Sequence, residues 1–312
     1  MSAPRLASPS AACASLMSSV APPSCSPSSV SPSRRLGLHP VLERKARPAN
    51  PAQRKPVVGS WMMLPGASLA RMIAAAGYDF VLVDCEHGNI ADAEMHAIVH
   101  AVAAAGSSPL VRIAAPENYL VKRALDTGAH GILCPMMSSA EEARRLVSFA
   151  KFPVPRAALA ADPSLVAAGG VRGAGSPFAP AVFGQSLAEY TATANDNTFV
   201  GVQIETRAGL DACEEIALVE GIDMLFVGPN DLALSLGYPP TSHPDVPQVQ
   251  AAIARVLAAC RAAGKYAGMF CTSADQVQAR FAQGFDVMNL GADIVAISAW
   301  NASELGKLEG IL

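Results

Sequence analysis

The sequence has no apolar run approaching the roughly 18 unbroken residues that a membrane span requires, although 51% of its 312 residues are hydrophobic. It has no basic excess either. A net charge of −3 and a pI near 6.1 exclude the electrostatic footprint of a nucleic-acid binder. The seven cysteines are odd in number and scattered, with no CxxC pair, which argues against a disulfide scaffold and against a cysteine zinc site. No GxGxxG follows the first apolar run, and no Walker A motif occurs. Lysine is scarce, confined to positions 45, 55, 122, 151, 265 and 307. These absences leave the expectation of a soluble intracellular α/β protein, with no membrane or nucleic-acid partner and enough chain to bury a large core.

The charge is unevenly placed. Residues 1–55 hold eight of the 23 Lys and Arg residues and one acid, Glu43. The segment is rich in Ser, Pro and Ala, as in SSVAPPSCSPSSVSPSRR, and shows no apolar periodicity. Such a composition does not offset its own ordering entropy. Residues 1–55 are therefore expected to be a disordered extension, read either as an organellar transit peptide or as a plain tail or misassigned start. The fold is expected over 56–312, in the cytoplasm or, if the extension targets it, in mitochondria.

From Val57 onward, short β-branched runs alternate with Ala-rich helical stretches. Eight candidate strands can be counted: 57–62, 79–84, 109–113, 130–135, 199–205, 222–228, 266–270 and 285–290. They are apolar throughout rather than alternating, the pattern of strands buried on both faces of a parallel sheet. Eight βα units in this length indicate a (β/α)8 TIM barrel, with a doubly wound sheet as the alternative. Residues 152–198 break the rhythm. They hold no convincing strand, and their GGVRGAGS run reads either as a loop admitting an anion to backbone N–H groups or as a flexible insertion.

Barrel enzymes carry their chemistry where strands end and βα loops begin. Those positions here hold Asp84, Glu86 and His87 after the second strand, Arg112 ending the third, Gln203 and Glu205 closing the fifth, and Asn230 and Asp231 after the sixth. His87, beside two acids, is read as a general base. Glu205 and Asp231 could hold a hard divalent cation, or form a salt-bridged rim with Arg112 or Arg172. No lysine falls at a strand's C-terminal end, so a Schiff-base aldolase is not expected and a metal would have to polarise the substrate.

The runs GSWMML, FVLVDCEHGNI, LVRIA, ILCPMMSSAEEA, GGVRGAGS, VGVQIET, EGIDMLFVGPNDLALSLGY and AGKYAGMF resemble the HpcH/HpaI aldolase family, in order and across the whole expected barrel. The resemblance implies a class II aldolase that cleaves 4-hydroxy-2-oxo acids reversibly to pyruvate and an aldehyde. It implies a divalent cation (Mg2+, Mn2+ or Co2+) on Glu205 and Asp231, with Asp231 and Gln203 against the substrate and His87 as base. Arg112 would stabilise developing charge, Asp126 of ALDTG would raise the histidine's basicity with Asp84 close by, and Ser176 would sit in the loop receiving the substrate carboxylate. It also implies a homo-oligomer, hexameric, with an exchanged terminal helix. Two departures stand out: Cys85 replaces a glycine, and Asn230 replaces a small residue lining the substrate. A citrate-lyase-like or malyl-CoA-like lyase, or a non-catalytic 2-oxo-acid-binding barrel, are the alternatives.

Overall fold

Strands that are apolar on both faces need cover on both, and a closed barrel ringed by helices supplies it. The computed structural model describes residues 37–163 and 169–310. In it, β1 (Val57–Met62), β2 (Phe80–Asp84), β3 (Ser108–Arg112), β4 (Gly131–Cys134), β5 (Phe199–Ile204), β6 (Met224–Val227), β7 (Tyr266–Cys271) and β8 (Val287–Ala292) pair in sequence order. Every pairing is parallel and β8 returns to β1, which closes the barrel. The expected (β/α)8 architecture is the observed one, with each strand within two residues of its expected bounds at either end.

Helices fill the crossovers. They are α1 (His39–Lys45), α2 (Ala67–Ala75), α3 (Asp92–Ala104), α4 (Asn118–Asp126), α5 (Ala140–Ala150), α6 (Arg156–Ala161) and α7 (Phe178–Val182), then α8 (Leu187–Asn197), α9 (Arg207–Asp211) and α10 (Cys213–Ala217). The last four are α11 (Pro229–Ser235), α12 (Pro247–Ala262), α13 (Ala274–Gln283) and α14 (Asp293–Gly306). Local chemistry sets several starts: Ser139, Thr206 and Ser273 each accept an N–H of the first turn, and Ser186 with Glu189 forms a capping box.

Strand parity decides what points where. Val81, Val83, Val111, Val200, Val202, Ile204, Leu225 and Val227 pack outward against the helices. Phe80, Leu82, Leu110, Leu133, Phe199, Met224 and Phe226 fill the interior. A Cβ on Gly59 would come within 2.3 Å of the Phe80 ring, so β1 carries a glycine where β2 carries its large inward residue. Continuing the inward parity by one to three steps places Asp84, Arg112, Gln203 and Glu205 at the C-terminal ends of their strands.

The other end of the barrel is closed by α1. Leu38 and Leu42, both fully buried, join the interior cluster with Val57, Phe199, Tyr266 and Val287, residues that begin their strands. His39 packs edge-on against Phe199. The expected boundary at residue 56 is thus corrected: residues 37–55 are part of the barrel. One Leu pair at i, i+4 is too short a pattern to register as periodicity, yet it suffices to plug the interior. The rest of the expected extension, 1–36, lies outside the described residues.

Candidate active site

Asp84 is completely buried and fully engaged. Its Oδ1 accepts Arg112 Nε at 2.9 Å and the backbone N–H groups of Glu86 and His87 at 3.0 and 3.2 Å; its Oδ2 accepts Arg112 Nη2 and the Trp61 indole at 2.5 and 2.9 Å. Parallel register sets Asp84 directly beside Arg112, which makes this bidentate pairing possible. Burial by itself pushes the Asp84 carboxyl up, but the bonds and charge of Arg112, with the indole and the His87 amide, hold it below its ordinary value. The guanidinium also lies 4.5 Å above the Trp61 ring. Arg112 is therefore fixed on three sides, and its Nη1 is the end left over. That end lies 3.5 Å from Gln203 Oε1 and 2.8 Å from Glu86 Oε2. The Glu86 contact is one of charge, not alignment, since Oε2 makes no hydrogen bond.

Gln203 continues the chain, donating from Nε2 to Glu205 Oε2 at 2.7 Å, while Glu205 Oε1 accepts the Met136 amide at 2.8 Å. Met136 holds φ +54°, a conformation rare for a side chain of its size, and so aims its N–H at the carboxylate. Gly228 makes room for Glu205: a Cβ there would lie 2.0 Å from Oε2. Burial pushes the Glu205 carboxyl up to about 7, with the charges of Asp231 and Glu86 adding to the rise. Burial, Asp84 and Asp231 likewise raise Glu86, against Arg112 and His87.

Asp84, His87, Arg112, Gln203, Asn230 and Asp231 line one cavity of about 200 Å³, with Trp61, Phe226 and Phe270 as its apolar wall. Asn230 and Asp231 reach it from the first turn of α11, both exposed. The His87 ring stands at the mouth, 64% exposed, with Nε2 3.6 Å from Glu86 Oε1. Asp84 holds the backbone of His87, not its imidazole. Among the described residues, no lysine lines the cavity, and Arg112 is its one Lys or Arg side chain. Trp61 was not singled out from the sequence, and Glu86 was read only as an acid beside His87, not as a partner of Arg112. An aromatic residue inside a strand reads as core, and Glu86 lies beyond the strand, where parity gives no direction.

Asp126 and Ser176 lie elsewhere. Asp126 ends α4, where Ser176 Oγ donates to its backbone carbonyl at 2.7 Å. Arg172 approaches its carboxylate to 3.8 Å and is buried between Phe152 and Tyr190, donating to the Tyr190 hydroxyl at 2.9 Å. Arg172 thus makes no salt bridge with Glu205 or Asp231, contrary to one expected alternative. GGVRGAGS, within its own chain, lines no part of the cavity.

No group of three or more His, Cys, Asp or Glu side chains is arranged for a metal among the described residues. The fit of a cation rests instead on a buried carboxylate, Glu205, crowded by Asp231 and Glu86 with Arg112 as the nearby cation. Three mutually repelling acids, of which Asp231 lines the cavity, are relieved by a positive charge, and a two-carboxylate site leaves positions for water and substrate.

An eight-stranded parallel barrel with acids, an arginine and a histidine at the C-terminal mouth has the form of a (β/α)8 enzyme. The family profile described as HpcH/HpaI aldolase/citrate lyase matches residues 58–299. A hydroxypyruvate/pyruvate aldolase of Paraburkholderia phytofirmans is 39% identical, covering 77% of this chain and 88% of its own. A 2-keto-3-deoxy-L-rhamnonate aldolase of Escherichia coli K12 is 35% identical, covering 77% and 84%. The crystal structure of an HpcH/HpaI aldolase/citrate lyase family protein from Burkholderia cenocepacia J2315 superposes with a TM-score of 0.72 at 34% identity, covering 81% and 95%. The chain belongs to the HpcH/HpaI aldolase/citrate lyase family, and it is an enzyme of the lyase class.

Proposed function

We propose that this enzyme is a metal-dependent aldolase that cleaves 4-hydroxy-2-oxo acids reversibly to pyruvate and an aldehyde. The observation that carries the reading is the fixed Arg112: two of its three nitrogens are committed to Asp84, and the third is presented beside Gln203 in a cavity that Asp231 also lines.

Glu205 and Asp231 would hold the divalent ion, with Glu86 beside them. Once bound, it supplies Lewis-acid polarisation of the 2-oxo acid. The chain's own groups do the rest. Arg112 donates from Nη1 to oxygen as negative charge builds on the pyruvate enolate, and its position costs no reorganisation because Asp84 and Trp61 already hold it. His87 removes the proton of the 4-hydroxyl, directly or through a water, and returns it in the reverse direction. Glu86 Oε1, 3.6 Å from the imidazole, orients the ring. Trp61, Phe226 and Phe270 exclude water from one side of the carbon chain. Asn230, a polar residue in the lining, favours an aldehyde that carries hydroxyl groups.

A lining with one Lys or Arg side chain favours a small 2-oxo acid over a CoA thioester, whose phosphates need several. We further place the enzyme in a homo-oligomer, hexameric by resemblance. α14 supports it: Ile294, Val295, Ile297 and Trp300 are all at least 42% exposed, and Asp293 is its one buried residue. The roles that the resemblance gives Asp126 and Ser176 are then exercised on the cavity of a second copy. Asp126 Oδ1, buried without a hydrogen-bond partner, is consistent with a contact completed by assembly.

The test is pyruvate release from a panel of 4-hydroxy-2-oxo acids with added divalent ion. Release from at least one hydroxylated member is expected. Inertness towards the whole panel, with cleavage of a CoA thioester, would overturn the aldolase reading.

A further inference from the structure

The end of the barrel opposite the catalytic mouth carries a second cavity, of about 460 Å³, walled by Arg47, Arg54, Arg261, Lys265 and Asp286. None of these residues takes part in the proposed aldol chemistry. Arg47 donates to the Gly264 carbonyl at 2.7 Å and lies 3.9 Å above the Tyr266 ring. Arg54 lies 4.5 Å above Phe281, donates to the carbonyls of Gly284 and Phe285, and pairs with Asp286 at 2.9 Å. Arg261 donates to the Gln283 carbonyl at 2.5 Å, and Lys265 to the Val219 carbonyl at 3.2 Å.

Neutral carbonyls and ring faces thus fix the cations in place without neutralising them. The single acid in the wall is fully engaged, with Oδ1 on Arg54 and Oδ2 accepting the Ala267 amide at 3.0 Å. The C-termini of α12 and α13 also converge here, and each offsets about half a positive charge. Four cations face one wall carboxylate and two helix ends, an excess of about two charges in the wall itself that Asp223 and Glu220, behind Lys265, and Glu43, near Tyr266, reduce. Burial, together with the charge of Arg47, pushes the Lys265 amine down, while Asp223 and Glu220 act in the opposite sense.

We propose that this cavity binds a small phosphate-bearing anion. Three guanidinium groups and one ammonium around a single cavity suit a compact dianion better than a monocarboxylate. Among the described residues, Arg47 makes no hydrogen bond from Nε or Nη1, nor does Arg261, and planar guanidinium forks match phosphate oxygens. Asp223 and Glu220 near Lys265, and Glu43 near Tyr266, repel an extended polyanion and favour a compact ligand.

The test is calorimetric titration of the full chain, metal-free and at low salt, with inorganic pyrophosphate. One saturable site per chain is expected, weakened about tenfold or more by Arg261→Glu and by Lys265→Met, as loss of a charge-assisted contact predicts. The same site should survive Arg112→Lys. Three results would overturn the proposal: no saturable binding, binding indifferent to both wall variants, or binding lost in Arg112→Lys, which would place the anion in the catalytic cavity. Citrate binding as tight as pyrophosphate would overturn the preference for phosphate. Circular dichroism of both wall variants confirms that a lost site is not a lost fold.

Discussion

The guanidinium of Arg112 closes on the Asp84 carboxylate along one edge, Nε to Oδ1 at 2.9 Å and Nη2 to Oδ2, with both side chains buried and the Trp61 ring beneath. The pair leaves Nη1 as the working end of the arginine. Its strength lies in geometry: a buried pair of this kind contributes little net stability, whereas removing one partner costs about 3–5 kcal/mol because a charge is left uncompensated.

Two variants separate positioning from chemistry. Arg112→Lys keeps the charge and loses the fork; turnover should fall at least about a hundredfold, with divalent-ion binding retained, as expected for a lost oxyanion-type donor. Asp84→Ala should lower both turnover and stability. Calorimetric melting and metal titration of each variant check the split. Parallel loss of metal affinity in Arg112→Lys would make Arg112 a structural partner of the ligands instead.

Gly228→Ala tests the cradle for Glu205. The added methyl meets Oε2 at 2.0 Å and must displace the carboxylate. Affinity for Mn2+ should fall roughly 10- to 100-fold, the usual consequence of disturbing the support of a ligand. Unchanged affinity in a folded variant would remove Glu205 from the proposed metal site.

Sequence parity made the barrel and most of the mouth readable. Asp84, Arg112, Gln203 and Glu205 interrupt apolar runs on the inward-facing positions, so their direction follows from that of Leu82, Leu110 and Phe199. Trp61 was hidden because an aromatic inside a strand reads as core, and the contact of Glu86 with Arg112 because Glu86 lies beyond its strand. Helix α1, with Leu38 at its N-cap and Leu42 within it, was hidden because its surroundings are Pro- and Arg-rich and its apolar pattern spans a single turn. Asp126 and Ser176 carry no signal of their own; periodicity makes the first a helix-end residue, which is where it stands.

Complementation tests whether Asp126 acts on a second copy. Asp126→Ala and His87→Ala should each be strongly impaired, the latter by roughly 10²- to 10⁴-fold if it loses the general base. Mixed oligomers of the two should recover about a quarter of the wild-type sites by random assortment. Absence of recovery in verified hetero-oligomers would confine Asp126 to a structural role beside Arg172.

Stability should depend on pH through His130, which immediately precedes β4 at the closed end and packs against Phe183. Burial pushes its pKa down to about 4. Between that value and the ordinary 6.5 the unfolded chain binds the extra proton, so the contribution is complete above pH 6.5 and is lost as pH falls towards 4. The full swing is roughly 3 kcal/mol. Denaturant midpoints of wild type and His130→Gln should therefore diverge in acid sensitivity across this window, with the wild type losing more. Identical pH profiles would mean that the imidazole is hydrated in the folded state.

The central claim is that pyruvate chemistry at this mouth needs a divalent ion and no lysine. Aldol cleavage after exhaustive EDTA treatment, followed by Mn2+ or Mg2+ titration and by borohydride in the presence of pyruvate, measures it most directly. The account predicts loss of activity with EDTA, recovery on adding the ion, and no covalent adduct by mass spectrometry. Full activity without metal, or a reduced pyruvate adduct on any of the six lysines, would contradict it.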